Sequence, residues 1–452
     1  MFIAVVISSL IYSNSVLTLF ESMSISLFVY FLLLFVNNIG KKLVILDVVI
    51  LSSLLICLIM PIVGYHFFNF NNKLARTWAF YMKVPSDDYY GYMFPALIAM
   101  IIGIKIPVFF KEKTFKIQEQ YMINAKTYLA NTKWQGLIMV GIGLGASLLQ
   151  NYVPDALSIV FFILRYLMFV GVFYCLYSRF PNKKIVLIIV FSVLIIRSVS
   201  VGMFGDLVFI TVLSIVLMLL GNKMKFITKF MFLILAIFSI VVLQSVKPVL
   251  RSKIWNGKSG DNSKIAIFVD ILNDKISNPS KLLDNQASLF SLYFRFNQGQ
   301  IVSRVLNSVP SRYPYANGES IFLSLAATVV PRVLWANKPG AGGVYNFERF
   351  LGIKLKGYSI GLSPFGEAYG NFGKVGGIIF MFFFGLLYNF FFNWLLKLAI
   401  KIPSLILWFP FLFFYAVQIE SDVVTMLNSL TKFLLITFLF YRYFPVIFKQ
   451  KI

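Results

Sequence analysis

The sequence has little of the side-chain chemistry on which most metal and cofactor sites depend. Its 452 residues include one histidine, His66, and two cysteines, Cys57 and Cys175, which lie in separate apolar runs. A His/Cys metal site needs about four such ligands at short spacings, and a disulfide framework needs paired cysteines, so both are close to excluded. A Walker phosphate-binding motif is lacking too, which argues against ATP hydrolysis. The sequence therefore predicts no metal and no cofactor.

Charged residues are also scarce. They make up only 13% of the chain, and hydrophobic residues make up 59%, whereas about a quarter of a soluble domain is charged. The apolar residues form runs of about 17–25 residues, which is the length that a helix needs to cross a membrane. The composition therefore predicts an all-α polytopic membrane protein.

The apolar runs predict twelve transmembrane helices, and the short loops between them alternate between basic and nearly uncharged. Basic short loops face the cytoplasm, which places both termini there and assigns much of the net charge of +24 to membrane orientation rather than to nucleic-acid binding. The first span has no cleavage site, so we expect it to be retained. The spans are predicted near residues 2–20, 23–39, 43–64, 92–110, 134–150, 155–178, 184–198, 205–220, 226–246, 374–396, 403–419 and 424–443.

Two longer segments are predicted on the external side, residues 65–91 and 247–373. The second separates nine spans in residues 1–246 from three in residues 374–452, and it carries fifteen basic and seven acidic side chains, a net charge of +8. Within it, residues 321–330 form an apolar run too short to span a membrane, which predicts a re-entrant or surface helix. A cationic external domain is expected.

Two cations stand where the chain leaves the ninth span. Lys247 and Arg251, in "QSVKPVLRSK", are four residues apart and share one helix face. They are typical of anchors that extend to the membrane surface. They also suit a clamp for a lipid-linked phosphate or pyrophosphate, because the arginine fork binds phosphate oxygens in pairs. Both interpretations stay open from the sequence.

The segment "PRVLWANKPGAGGVYNFERF" is kinked and cationic. It carries Arg332, Lys338 and Arg349 within eighteen residues, opposed only by Glu348. Proline and glycine are typical of turns, and Trp335 is typical of interfacial aromatic belts. We interpret the segment as a loop near the lipid headgroups that offers further pyrophosphate contacts, with Trp335 as a candidate for stacking on a sugar.

Three carboxylates are candidates for the catalytic base. Glu367 lies in "SPFGEAYGNFGKVGG", with Tyr369 beside it as a candidate for sugar stacking. Glu420 and Asp422 lie in "QIESDVVTM", at the predicted outer end of the eleventh span. A carboxylate at a helix start can instead complement the helix dipole, and Glu420 and Asp422 can pair with loop cations. Glu367 is favoured as the base because a positioned carboxylate can deprotonate a sugar hydroxyl.

A glycine-broken hairpin, "RSVSVGMFGD", is predicted on the external side between the seventh and eighth spans. Its ends are Arg197 and Asp206, which can form an ion pair or line a cavity. Elsewhere, "GIGLG" lacks the strand–turn–helix context of a nucleotide fingerprint. Gly141 and Gly145 are therefore predicted to serve close helix packing.

Several of these motifs together resemble a known family. "YPYANGES" followed by an apolar run, "PRVLWANKP", "SPFGEAYGNFGKVGG" and a late acidic turn resemble the Wzy-type polymerases of O-antigen and related polysaccharides, also called oligosaccharide repeat unit polymerases. The resemblance covers roughly residues 185–430. It implies a GT-C-like fold and a metal-independent glycosyltransferase of the bacterial inner membrane.

Enzymes of this kind transfer a glycan from undecaprenyl pyrophosphate to the terminal sugar of another lipid-linked repeat unit, on the periplasmic face. The resemblance thus implies lipid-linked donor and acceptor, membrane lipids and, as an open further partner, a chain-length regulator protein. Lys247, Arg251 and Arg332 match the basic positions associated with pyrophosphate, and Glu367 matches the Gly-Glu motif. The hairpin departs from the family's Gly-x-Arg-Gly pattern, because Phe204 stands where arginine is expected.

Three other functions remain as alternatives. A flippase for the same lipid-linked oligosaccharide should show internal repeats and polar residues deep in several spans, and it does not need a long external loop. A ligase that moves the finished polymer to another lipid generally has a histidine in that loop, whereas His66 lies elsewhere. A receptor or scaffold without enzymatic activity is the third.

Overall fold

The protein is helical throughout the part of the chain that the structure describes. Over these residues it contains no strand. Backbone groups in hydrocarbon must find hydrogen bonds within their own segment, and helices do this for an apolar run. The computed structural model describes residues 17–107, 114–130, 132–150, 152–222, 224–255, 263–277, 286–330, 334–335, 343–356 and 358–443.

The helices follow one another with short connections. A π-helical turn, Leu55–Ile59, joins α2 to α3, and a 3-10 helix, Pro403–Trp408, precedes α19. In chain order the α-helices are α1 Leu19–Asn38, α2 Ile45–Leu54, α3 Met60–His66, α4 Lys73–Thr77, α5 Ser86–Lys105, α6 Thr114–Ala130, α7 Gln135–Leu149, α8 Asp155–Leu164, α9 Leu167–Tyr177, α10 Lys183–Val201, α11 Gly205–Met218, α12 Phe226–Trp255, α13 Lys264–Ser277, α14 Gln286–Phe296, α15 Gln298–Ser308, α16 Glu319–Val329, α17 Val344–Leu351, α18 Ser363–Lys401, α19 Phe409–Leu412 and α20 Val423–Tyr443.

Seven helical segments among the described residues are long and apolar enough to cross a membrane. Each overlaps one of the predicted spans, so the prediction of a helical protein with several membrane-crossing helices is confirmed. The count of twelve spans is not confirmed. The seven segments are Leu19–Asn38, Ile45–His66, Val160–Tyr177, Lys183–Val201, Phe226–Ile254, Ser363–Lys401 and Val423–Tyr443.

Five predicted spans remain. One of them, residues 2–20, lies almost entirely outside the described residues. The other four fall short for different physical reasons. Helices α7 and α11 have 15 and 14 residues, which is less than the roughly 17 needed to cross the hydrocarbon core. Helix α5 has 20 residues, but two aspartates and three tyrosines occupy its first half and lower its hydropathy.

The fifth case, residues 403–419, was predicted as one spanning helix and is not one. Pro403 begins the 3-10 helix, and α19 is only four residues long, with Pro410 in its first turn. Most of the segment is buried, and Trp408 has no exposed surface. Irregular backbone is tolerated at membrane depth where protein surrounds it, so this segment forms part of the protein interior.

Glycines allow two pairs of helices to approach closely. A Cβ on Gly103 of α5 would lie 2.8 Å from the backbone nitrogen of residue 386 in α18. A Cβ on Gly143 of α7 would lie 2.7 Å from the Cβ of Met168 in α9. The prediction for Gly141 and Gly145 is wrong, because both face open space; the helix turns the intervening Gly143 toward its partner.

The two predicted external segments fold together into a second hydrophobic core. Residues 68–80 contribute Phe68 and Phe80, which pack on Phe290 and Tyr293 of α14. The core is separate from the large core between the apolar helices. It brings residues 65–91 and the long loop to the same end of the molecule. Two segments that were both predicted on the external side are expected to lie there.

The long loop is more helical than its predicted limits suggest. Helix α12 continues past residue 246 to Trp255, and α18 begins at Ser363 and continues through a kink at Gly373, where φ is 68°. The predicted short helix is present as α16. It exposes Phe322 and Val329 and turns small residues inward, which is the pattern of a helix that faces lipid.

Candidate functional site

A cleft of about 520 Å³ opens where the second core meets the ends of the apolar helices. Its wall combines aromatic rings with amides, hydroxyl groups, one arginine and two carboxylates. It is lined by Phe80, Phe294, Arg295, Asn297, Gln298, Ile301, Ser359, Ile360, Gly361, Tyr415, Gln418, Glu420, Ser421, Asp422 and Thr425.

The junction of α14 and α15 forms one wall of the cleft. A single residue, Asn297, separates the two helices, and its side chain accepts a hydrogen bond from the backbone nitrogen of Gln300 at 3.1 Å. Such a cap satisfies an otherwise unpaired donor at the start of a helix. The bend leaves Phe294 and Arg295, at the end of α14, directed into the cleft.

The opposite wall depends on a close backbone contact at Gly361. The side chain of Gln298 donates to the Gly361 carbonyl oxygen at 2.8 Å and joins the two walls. A Cβ at Gly361 would clash with the carbonyl oxygen of Glu420 and lie 2.8 Å from the backbone nitrogen of Asp422. Only glycine therefore fits where this segment crosses the acidic turn.

Three cations lie together, and one of them, Arg295, lines the cleft. Arg295 Nη2 donates to Glu420 Oε1 at 2.8 Å. Lys247 is close enough to Arg295, Arg251 and Glu420 to interact electrostatically with all three. Arg251 Nε donates to the carbonyl oxygen of Gly202 at 2.8 Å. We call Lys247, Arg251 and Arg295 the cation cluster.

The two carboxylates of the acidic turn have different surroundings. The Glu420 side chain is 27% exposed and faces the cleft. Asp422 is 1% exposed, and its Oδ1 accepts from the Thr425 backbone nitrogen at 3.3 Å and from the Thr425 hydroxyl. This is the geometry of an N-cap on α20. Burial raises the pKa of the Asp422 carboxyl above its ordinary value.

Glu367 lies behind the cleft rather than in its wall. Its side chain is fully buried. Oε1 accepts from the Ser320 hydroxyl at 3.0 Å, and Oε2 accepts from the Val423 backbone nitrogen at 3.0 Å. The Asn371 amide also donates to Ser320, at 2.7 Å. Glu367 thereby connects α18, α16 and the start of α20 beside Asp422.

The predicted hairpin residues belong to a polar cluster that the sequence did not indicate. Arg165 of the α8–α9 segment is buried, and its Nη2 donates to Asp206 Oδ2 at 3.0 Å. The Tyr166 hydroxyl donates to the same oxygen at 2.9 Å. Arg197 bonds weakly to Gln150 Oε1 at 3.4 Å. The ion pair of Asp206 is thus with Arg165 rather than with Arg197.

Tyr415 connects this polar cluster to the cleft. It lines the cleft, its ring contacts that of Phe162 with centroids 6.4 Å apart, and it interacts with Tyr166, Arg165 and Asp206. The hairpin therefore lies directly behind the cleft wall. Arg251, which bonds to Gly202 in the same hairpin, joins it from the other side.

The remaining predicted residues lie away from the cleft lining or outside the described residues. Arg349 Nε donates to Glu319 Oε2 at 3.2 Å, and the Tyr345 hydroxyl donates to the other Glu319 oxygen at 2.6 Å. These bonds join α17 to α16. Trp335 is partly exposed and, like Arg349, does not line the cleft. Arg332 and Lys338 lie outside the described residues.

Tyr369, a predicted sugar-stacking residue, packs on protein instead. Its ring lies edge-on to Tyr92 at 5.0 Å and to Tyr315 at 6.2 Å. The exposed ring at the cleft is Phe294, whose centroid is 4.1 Å from that of Phe80. The sequence stretch that could have indicated this part of the site is "YFRFNQGQ", in which an arginine lies between aromatic residues and amides follow. It contains Phe294 and Arg295.

A family model, described as a domain of unknown function (DUF8712), matches residues 3–398 of the chain. The chain belongs to the DUF8712 family. No curated protein and no solved structure matches it. The DUF8712 match includes the cation cluster and Gly361, and it ends before the acidic turn with Glu420 and Asp422.

The DUF8712 cleft has the chemistry for an anionic ligand with hydroxyl groups. Its arginine suits phosphate oxygens, its carboxylates and amides suit hydroxyl groups, and its exposed ring suits an apolar sugar face. Within the described residues, no group of three His, Cys, Asp or Glu side chains is arranged to hold a metal ion.

Proposed function

We propose that this protein is a membrane-embedded glycosyltransferase that extends a polysaccharide. It would transfer a glycan from undecaprenyl pyrophosphate to the terminal sugar of another lipid-linked repeat unit, as in a Wzy-type polymerase. The observation that carries this proposal is the cation cluster beside Glu420 in an open cleft at the ends of apolar helices. The proposed location is the bacterial inner membrane, with the cleft on the periplasmic side and both termini in the cytoplasm.

The cation cluster supports a pyrophosphate leaving group. Negative charge develops on the phosphate oxygen as the glycosidic bond breaks, and fixed cations stabilise that charge without rearranging. Arginine forks can bind two phosphate oxygens at once. The cluster of Lys247, Arg251 and Arg295 would hold the pyrophosphate.

Helix α12 supports delivery of that donor from the membrane. Most of its apolar side chains are exposed, including Ile227, Met231 and Leu235, each near 60%. The same helix carries Lys247 and Arg251 toward its end. A polyprenyl chain lying along α12 would therefore bring its pyrophosphate to the cation cluster without leaving the hydrocarbon, and confinement of both lipids to the membrane favours their encounter.

Glu420 is better suited than Glu367 to act as the base. It is partly exposed in the cleft and lies 2.8 Å from Arg295, whereas both oxygens of Glu367 are engaged with protein. In the proposed step the acceptor hydroxyl oxygen attacks the anomeric carbon and the bond from that carbon to phosphate breaks. Undecaprenyl pyrophosphate leaves, and the hydroxyl proton passes to Glu420.

The rest of the cleft supports a sugar. The exposed ring of Phe294 offers an apolar surface, and Gln298, Gln418 and Thr425 offer amide and hydroxyl groups. Binding sites of this kind combine aromatic walls with a few placed polar groups. We therefore propose Phe294 as the stacking residue, ahead of Tyr369 and Trp335.

The proposal is tested by deletion of the gene and complementation with variants in the native host. Deletion should leave surface or lipid-linked glycan with single repeat units. Arg295→Ala should not restore long chains, because loss of one charge-stabilising donor lowers a rate by about 10²–10³-fold. Arg312→Ala is the control, because it changes an exposed arginine outside the cleft lining, and it should restore long chains. Complete loss of external glycan units would favour a flippase, and polymer left on its lipid carrier would favour a ligase.

A further inference from the structure

A second polar cavity, of about 220 Å³, lies between the helices away from the cleft. The loop before α2, the end of α5, the start of α6 and the middle of α18 surround it. Its polar lining comes from Lys42, Asp47, Lys105, Gln118, Asn389 and Asn393. A polar cavity of this size is filled by water or by a ligand rather than left empty.

The cavity lies at the opposite membrane surface from the cleft. Helix α1, one of the seven long apolar helices, runs from Leu19 to Asn38, and twenty residues of helix rise about 30 Å, the thickness of the hydrocarbon core. At the end of α1, Asn38 donates to Asp47 at 3.5 Å, and α5 runs beside it from Ser86 to Lys105. At the far end of α5, Ser86 donates to Glu21 at 3.3 Å, and Glu21 pairs with His66 next to the second core. Lys105 is therefore at headgroup depth on the face that the sequence predicts to be cytoplasmic.

The charges around the cavity are mostly positive. Asp47 is 3% exposed, and it pairs with Lys42 at 2.8 Å and with Lys105 at 2.6 Å. Two more lysines lie at the adjoining end of α1. Lys229 donates to the Ile39 carbonyl oxygen at 2.5 Å, and Lys41 bonds the side chain of residue 37. Within the cavity lining, two ammonium groups, those of Lys42 and Lys105, thus share the carboxylate of Asp47.

Lys42 and Lys105 have N–H donors that their bonds to Asp47 do not use. Each ammonium group has three N–H donors, and one of them reaches Asp47. The neighbouring amides are already engaged, since Gln118 accepts from the Leu43 backbone nitrogen at 2.6 Å and Asn389 donates to the Gly103 carbonyl oxygen at 3.2 Å. An incoming acceptor would therefore bind to Lys42 and Lys105.

We propose that this cavity binds the phosphate of an anionic glycerophospholipid headgroup. Basic pockets between membrane helices at the cytoplasmic surface bind such headgroups. Exposed apolar side chains beside the cavity, Ile102 and Ile106, leave a surface on which an acyl chain can lie. Free inorganic phosphate has the same acceptor oxygens but gains nothing from that surface, so lipid is the source to which the proposal commits.

The test is native mass spectrometry of the purified full-length protein with phosphatidylglycerol, with phosphatidylcholine or with inorganic phosphate. Phosphatidylglycerol should remain bound most strongly. Lys42→Gln and Lys105→Gln should each weaken that binding about fivefold, the effect of one lysine near a headgroup phosphate. Lys184→Gln, an exposed lysine in another predicted cytoplasmic loop, should not. Equal retention of both lipids by all variants, or retention of inorganic phosphate alone, overturns the proposal.

A second variant covers the case in which the lysine changes impair folding. Asp47→Asn leaves Lys42 and Lys105 without their shared carboxylate, so the variant should unfold at a lower temperature. Added phosphatidylglycerol should restore much of the lost Tm, because its phosphate replaces the carboxylate, and phosphatidylcholine should not. Equal effects of the two lipids contradict the proposal. Neither measurement needs a glycan substrate, so the result is independent of the proposed glycosyltransferase.

Discussion

At the scale of single residues, three carboxylates that look alike in sequence have three different environments. Glu420 is partly exposed beside Arg295, Asp422 caps α20, and Glu367 is buried between helices. A carboxylate whose oxygens are held by protein donors is costly to release. Burial and bonding, rather than motif, therefore favour Glu420 as the group that takes a proton.

The different surroundings of Glu420 and Asp422 predict that their substitutions affect chain extension and Tm differently. Glu420→Gln should lower chain extension about 10²–10⁴-fold and leave Tm almost unchanged. Asp422→Asn keeps a capping oxygen and should retain both activity and Tm, whereas Asp422→Ala should cost about 1 kcal/mol of stability. Glycan ladders and thermal unfolding in detergent measure the two effects. An inactive Asp422→Asn with an active Glu420→Gln would transfer the role of base to Asp422.

The site residues could be predicted only in part, because burial and hydrogen bonding depend on partners that are distant in the sequence. Lys247 and Arg251 were predicted from their spacing on one helix face, and the structure places Lys247 near Arg251, Arg295 and Glu420. Arg295 was counted only among the loop cations, because nothing local distinguishes an arginine that meets Glu420, 125 residues later, from a solvated one. Arg165 was missed because it lies in an apolar run, where its partner Asp206 is visible only in three dimensions.

At the scale of elements, the sequence predicts helices well and their contacts poorly. Apolar length decides where a helix crosses the membrane, and seven predicted spans have counterparts. The buried 3-10 helix at Pro403–Trp408 was not foreseen, because its apolar composition equals that of a spanning helix. The rotation of α7, which selects Gly143 over Gly141, is likewise fixed by the partner helix α9.

The contact of α16 with α17 predicts a dependence on pH. Glu319 accepts a hydrogen bond from Tyr345 and pairs with Arg349, and these bonds lower the pKa of its carboxyl. Because the folded pKa lies below the unfolded value of about 4.3, the contact stabilises the fold above that pH. The contribution is lost as pH falls through the folded pKa.

Glu319→Gln should therefore lower Tm slightly at pH 7. The free energy of unfolding should fall by no more than about 1 kcal/mol, because the pair is exposed to solvent. The difference from the wild type should vanish below the folded pKa. Glu348→Gln is the matched control, since its pair with Lys354 is more exposed. A Tm difference for Glu319→Gln that persists unchanged in acid would show that the bonds of the charged carboxylate are not its cause.

The crossing of Gly361 over the acidic turn predicts a sensitive position. Gly361→Ala should displace the turn, because the added Cβ meets the backbone of Glu420 and Asp422. We expect a loss of about 1–3 kcal/mol of stability, as for other overpacked sites, together with loss of chain extension. Gly145→Ala, at a helix position with open space around it, should be neutral or stabilising. Normal activity of Gly361→Ala would mean that the cleft tolerates movement of the turn.

At the scale of the whole molecule, the two ends of the bundle differ in chemistry. One end carries the second core, the cleft and the cation cluster. The other carries the Lys42–Asp47–Lys105 cavity. A large extramembrane assembly at one face, supplied by the lipid-exposed α12, fits an enzyme that works on lipid-linked substrates at the membrane surface.

If the cleft joins lipid-linked glycans with release of undecaprenyl pyrophosphate, the purified protein should do so in liposomes that contain lipid-linked repeat units prepared from the host. We expect a ladder of longer glycans and one undecaprenyl pyrophosphate released for each bond formed. Both products should be lost together in Arg295→Ala and Glu420→Gln. Movement of the intact glycan lipid across the bilayer, without a ladder or released pyrophosphate, would contradict the proposed function.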